Sequence, residues 1–136
     1  MSSTVVTNQS KVIYPAGINL ATATIKCALF TSAETGLGAA ATTYSSLTGE
    51  VTVGSGYTTG GNAITGLAWT GTINPIITGT ITAWPISTFT FRYAVIYDVT
   101  TGKILAYSDF GSDQVVSAQT LTLSFDTNGF IKVTSS

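Results

Sequence analysis

The segment Thr88 to Asp98 places an aromatic or β-branched residue at every second position, a pattern that fits an extended strand and no helix. Phe89, Phe91, Tyr93, Val95 and Tyr97 fall on one face and Thr90, Arg92, Ala94, Ile96 and Asp98 on the other, so the first face is expected to form a core wall. Val99-Thr100-Thr101-Gly102 follows as a turn, with a glycine available for positive φ, and Lys103 to Tyr107 returns as the partner strand. A hairpin is the immediate consequence.

The same logic extends along the chain. Thr120 to Phe125 alternates strictly, Asp126-Thr127-Asn128-Gly129 turns, and Phe130 to Thr134 closes a second hairpin whose apolar face holds Leu121, Leu123 and Phe125. Thr24 to Thr31 puts Ile25, Cys27 and Leu29 on one side and Lys26, Ala28 and Phe30 on the other, the mark of a central strand. Glu50 to Val53, Ala63 to Thr70 and Thr80 to Trp84 are shorter strand candidates, and Pro75 and Pro85 interrupt any ladder at their own positions. Strands at this density predict an all-β domain, either a two-sheet antiparallel sandwich or a small barrel, with a jelly roll the expected arrangement. Residues 1–10 are polar enough to form an N-terminal arm, leaving 11–136 as a single β-sandwich domain. The Thr-Gly pairs at Thr59, Thr65, Thr70 and Thr78 are too irregularly spaced for a solenoid.

Composition narrows the chemistry. Of the 136 residues only 8% are charged, with five Lys+Arg against six Asp+Glu, which leaves no basic footprint for nucleic acid or an anionic membrane surface. Histidine is absent, removing the commonest general base and metal ligand. The single cysteine, Cys27, shares a face with Ile25 and Leu29 and reads as a small buried hydrophobe rather than a nucleophile. No apolar run reaches the length of about 18 residues needed to span a bilayer. The stretch from Met1 to Thr7 lacks the basic and apolar regions of a secretory signal, so folding in the cytoplasm is the expectation.

Four local patterns invite chemical readings. Gly54-Ser55-Gly56-Tyr57-Thr58-Thr59-Gly60-Gly61 has no Gly-Lys-Ser/Thr and no following helix, so a flexible turn is expected in place of a phosphate cradle. Asp109-Phe110-Gly111 has the letters of a kinase metal triplet without the rest of that site. Asp98, Asp109 and Asp113 are oxygen donors that read more simply as turn formers than as a Ca²⁺ site. Trp69 and Trp84 suit either a core or a sugar platform, and the core is preferred because no Asp, Asn and Arg cluster adjoins them. These readings predict no catalytic residue, no metal and no cofactor.

Several segments, in this order, resemble a family of small virion proteins of tailed bacteriophages. They are Ile25 to Ser32, Thr48-Gly49-Glu50-Val51 with Gly56 to Gly61, Thr65-Gly66, Phe89 to Asp98, Thr101 to Tyr107, Asp109 to Asp113, and Val116-Ser117-Ala118. The likeness covers residues 24–134. It implies a jelly-roll cement protein, synthesised in the host cytoplasm, that decorates the capsid surface of the virion, bridges major capsid subunits and assembles as a homo-oligomer, a dimer or trimer. A tail-associated receptor- or glycan-binding β module is the alternative, and an enzyme is not expected. Candidate contact residues are Val5, Val6 and Asn8 in the arm, which is suited to pairing along a neighbour's strand edge, and Gly56, Tyr57, Gly60 and Asn62 in the Gly-rich loop.

Overall fold

The computed structural model describes residues 2–5, 10–12, 24–34, 43–70, 76–125 and 131–135. Eight strands run through them: β1 (Ser2–Val5), β2 (Ser10–Val12), β3 (Ile25–Phe30), β4 (Asn62–Thr70), β5 (Ile76–Ile81), β6 (Trp84–Asp98), β7 (Ile104–Phe125) and β8 (Ile131–Ser135). Among the described residues there is no α-helix, only a 3-10 turn at Tyr44–Ser46. All eight strands pair antiparallel in one sheet, of order β1-β8-β7-β5-β4-β3-β6, with β2 added to β7. Because β7 also pairs with β6, the strands β3 to β7 make a closed circuit of pairings.

The two expected hairpins form. Tyr93 to Tyr97 pair with Asp109 to Ile104, and Leu121 to Phe125 pair with Ser135 to Ile131, while the Asp126 to Gly129 turn and Phe130 lie outside the described residues. β3 sits between β4 and β6 with both faces buried, as its sequence requires. Ile25, Cys27 and Leu29 enter the main core beside Trp84, Phe91, Leu105, Leu121 and Leu123, with Phe89 and Phe125 half-buried at its margin. Ala28 and Phe30 face a second cluster with Val95, Tyr97 and Ile104, against which Tyr44, Leu47, Tyr93 and Tyr107 pack.

Four expectations need correction. The face read off Thr88 to Asp98 is not continuous: Phe91 joins Ala94 and Ile96 in the main core, whereas Val95 and Tyr97 lie in the second cluster. A register shift between Phe91 and Tyr93 inverts the phase, because one irregular residue exchanges the two faces of everything beyond it. Lys103 to Tyr107 and Thr120 to Phe125 are not separate strands but the ends of the 22-residue β7. Glu50 to Val53 is no strand, Glu50 making only an isolated bridge to Phe30. Lastly, part of the expected arm pairs within the subunit, Ser2 to Val5 lying against Ser135 to Lys132 as the last strand of the sheet.

Candidate functional site

The Gly-rich loop is pinned rather than loose, and its anchor is Glu50. The Tyr57 hydroxyl donates to Glu50 Oε2 at 2.6 Å and the Gly60 amide to the same oxygen at 2.7 Å, while the Tyr44 hydroxyl donates to Oε1. Tyr57 Oη in turn accepts the Leu29 amide at 3.0 Å, taking the part of a carbonyl on the edge of β3. Tyr97 stacks on Tyr44 with ring centroids 4.3 Å apart and donates its hydroxyl to the Gly60 carbonyl at 2.8 Å. Gly61 lies so close to β3 that a Cβ there would stand 1.9 Å from the Cys27 carbonyl oxygen, which only glycine permits. Burial, reinforced by Glu50, pushes the Tyr44 and Tyr57 hydroxyls well above the ordinary tyrosine range, so both act as donors.

Arg92, Asp109, Asp98 and Glu34 are likewise engaged internally. Arg92 Nε meets Asp109 Oδ1 at 3.0 Å and its guanidinium lies 5.3 Å from the Tyr93 ring centroid. Burial tends to raise Asp109, but the Arg92 and Gly111 hydrogen bonds outweigh it and hold the carboxyl below its usual value. The Asp98 carboxylate accepts the Thr100 and Thr101 amides and the Thr101 hydroxyl, shaping the 99–102 turn. Glu34, 2% exposed, accepts the Thr48 amide. Burial pushes the Cys27 thiol up to about 12, so the thiolate nucleophile is not formed at neutral pH. Trp84 is buried in the main core and offers no sugar platform, and the Trp69 side chain lies outside the described residues. Among the described residues no three His, Cys, Asp or Glu side chains gather as a metal site, and no helix is long and apolar enough to cross a membrane.

Among the described residues, Thr31, the 51–55 segment and residues 88–90 of β6 line a cleft of about 280 Å³. No ionisable side chain among the described residues lines it. Val53 at its wall is 63% exposed, and Val115, paired with Thr90, is 69% exposed. Of the expected contact residues, Gly56 is exposed and packs its backbone against Ser87, where a Cβ would stand 2.2 Å from Ser87 Oγ. Tyr57 and Gly60 turn inward to Glu50, and Asn62 Nδ2 ties the Thr82 and Ala83 carbonyls at 3.0 Å. Val5 belongs to β1, whereas Val6 and Asn8 lie outside the described residues. The sequence reading missed the group formed by Tyr44, Glu50, Tyr57 and Tyr97. Its one sequence signal is a carboxylate set between two tyrosines in a chain that has few charges. Compared with known protein families, with curated proteins and with solved structures, the chain matches none.

Proposed function

We propose that this chain is a structural protein of a tailed-phage virion that decorates the capsid surface, bridges major capsid subunits and hinders their separation as a dimer or trimer, with no catalytic role and no cofactor. The reading begins from the resemblance over residues 24–134. One observation carries it further: Glu34, Glu50, Asp98 and the Arg92–Asp109 pair are engaged inside the subunit, while Val53, Ile86 and Val115 stand 63, 78 and 69% exposed. A surface of that kind meets a neighbour through apolar and hydrogen-bonded contacts, which salt screens little. In the same reading the sheet wraps the main core as a two-sheet sandwich of the jelly-roll kind. The support is that β3 to β8 all contribute side chains to one core while register shifts break β6 and β7. β1 ends the sheet, so its outer edge is where a strand of the shell would add.

The test is cryo-EM of particles carrying the chain, together with heating and osmotic shock of particles lacking it. Density on the capsid lattice and loss of shell stability without the protein are expected, with occupancy little changed between low and high salt. Density on the tail alone, or shells equally robust without it, would overturn the proposal.

A second reading, a glycan- or receptor-binding tail module, is favoured by the Arg92–Asp109 pair. That pair is held beside the half-buried Tyr93 ring, and a polar fork next to an aromatic ring is the usual make-up of a sugar site. Binding on a glycan array that is lost in Arg92→Ala would select it.

A further inference from the structure

We infer that Tyr44 is the site at which this chain yields an electron to a one-electron oxidant, its hydroxyl proton passing to Glu50 in the same step. A phenol gives up an electron readily only as it loses its proton, because the phenol radical cation is a strong acid, so a hydroxyl already bonded to a base is oxidised first. The Tyr44 hydroxyl donates to Glu50 Oε1. Its ring lies nearly parallel to that of Tyr97, with centroids 4.3 Å apart and planes 7° from each other, so the electron hole is shared by two π systems. Tyr44 is only partly buried, within reach of an oxidant in solution. The step balances: the hydroxyl and the Glu50 carboxylate become a neutral phenoxyl radical and a carboxylic acid, and the electron reduces the oxidant. A reductant that returns the electron draws the proton back from Glu50.

Among the described residues no other aromatic side chain combines these features. The Tyr57 hydroxyl also donates to Glu50, but to Oε2, which it shares with the Gly60 amide, and its oxygen accepts the Leu29 amide. That amide draws electron density from the phenol oxygen, and Tyr57 is buried. Tyr97, also buried, donates to the Gly60 carbonyl, a far weaker base than a carboxylate. Tyr93 is half-buried like Tyr44, but the Arg92 guanidinium lies 5.3 Å from its ring centroid and raises the cost of removing an electron from it. The half-buried Tyr107 bonds to no carboxylate among the described residues. Trp84 is buried and its Nε1 hydrogen meets no acceptor among them, so its indole has nowhere to shed a proton. Nothing in this inference depends on the capsid reading.

The full chain is oxidised at neutral pH by photogenerated tris-bipyridine ruthenium(III), with persulfate as the terminal electron acceptor. An N-methyl-luminol reagent that traps phenoxyl radicals tags the oxidised tyrosines, and peptide mass spectrometry locates the tag. Tyr44 is expected to carry about tenfold more of it than Tyr93 or Tyr107. Glu50→Gln, which still accepts a hydrogen bond but is a much weaker base, should bring Tyr44 down to their level. Tyr57→Phe, which removes another bond of the same group but leaves Glu50 a carboxylate, should keep the tag on Tyr44. Circular dichroism reports whether each variant is folded, and where one is not, the distribution in the unsubstituted chain decides. An even spread over Tyr44, Tyr93 and Tyr107, a tag concentrated on Tyr14, Tyr93 or Tyr107, undiminished tagging of Tyr44 in folded Glu50→Gln, or its loss in folded Tyr57→Phe would overturn the inference.

Discussion

The two halves of the long β6–β7 hairpin differ more from each other than their common pairing suggests. Near the turn, Tyr93 to Tyr97 face Asp109 to Ile104 in nearly unbroken register, with β3 on the outer side and buried side chains on both faces. Farther out, register shifts fall between Trp84 and Ser87, between Ser87 and Phe89, and between Phe91 and Tyr93, and positive φ occurs at Ile86 (42°), Gly111 (78°) and Ala118 (50°). There one face is exposed and the outer edge of β6 borders the cleft. The regular half has β3 and the 43–47 segment to pack against and gains from ideal pairing. Among the described residues no third strand pairs with β6 from Trp84 to Phe91, and the bulges there aim its side chains.

That contrast can be pressed first by alkali, which acts on the regular half. Cys27 and Tyr97 each stand at about 12 in the folded chain through burial, above their ordinary values of 9.0 and 10.0. Folded values above unfolded ones mean that stability is complete below about pH 9 and is lost as pH rises toward 12. The Cys27 thiol should stay unreactive to a disulfide reagent at pH 10 and react only as the β-sheet circular dichroism collapses. Thiol reaction at pH 10 with the sheet intact would show that the regular half opens locally.

Phe91→Ala, at the junction of the halves and 0% exposed, should cost about 3–5 kcal/mol in denaturant unfolding. Phe125→Ala, half-buried at the core margin, should cost less, about 1–2 kcal/mol. Equal effects would place the outer half as deep as the inner. Glu50→Ala should follow at about 2–3 kcal/mol, because it strands the Tyr57 hydroxyl and the Gly60 amide. Glu50→Gln, which keeps an acceptor, should lose less. Smallest and opposite in sign is Ile86→Gly: a β-branched residue at φ 42°, 78% exposed, carries strain without much packing, so glycine there should stabilise by about 1 kcal/mol. A loss of stability instead would mean that the Ile86 side chain supports the bulge.

How legible this was varied with distance along the chain. The 99–102 turn, the burial of both faces of β3 and the inward Leu121 and Leu123 are legible in the sequence because each depends on neighbours two to ten residues away. The shift at Phe91 to Tyr93 is not, because the alternation of Thr88 to Asp98 continues through it. The odd residue count that inverts the faces arises against β7, between Asp109 and Gln114. A loop at the end of a sandwich suggests a surface contact for Tyr57, yet its hydroxyl reaches Leu29, 28 positions earlier in the chain.

Local sequence thus decided that the chain is β, where the hairpin at 99–102 turns, and that its composition is almost without charge, because alternation, turn residues and composition act over short stretches. Tertiary structure alone decided that the strands close into one circuit, that Glu50 gathers two tyrosines and a glycine amide into a buckle, and that β3 ends its pairing with β6 at Phe30. Those features depend on how far each strand runs before its partner departs, and hydrogen-bond registers between residues tens of positions apart settle that only when the whole sheet has formed.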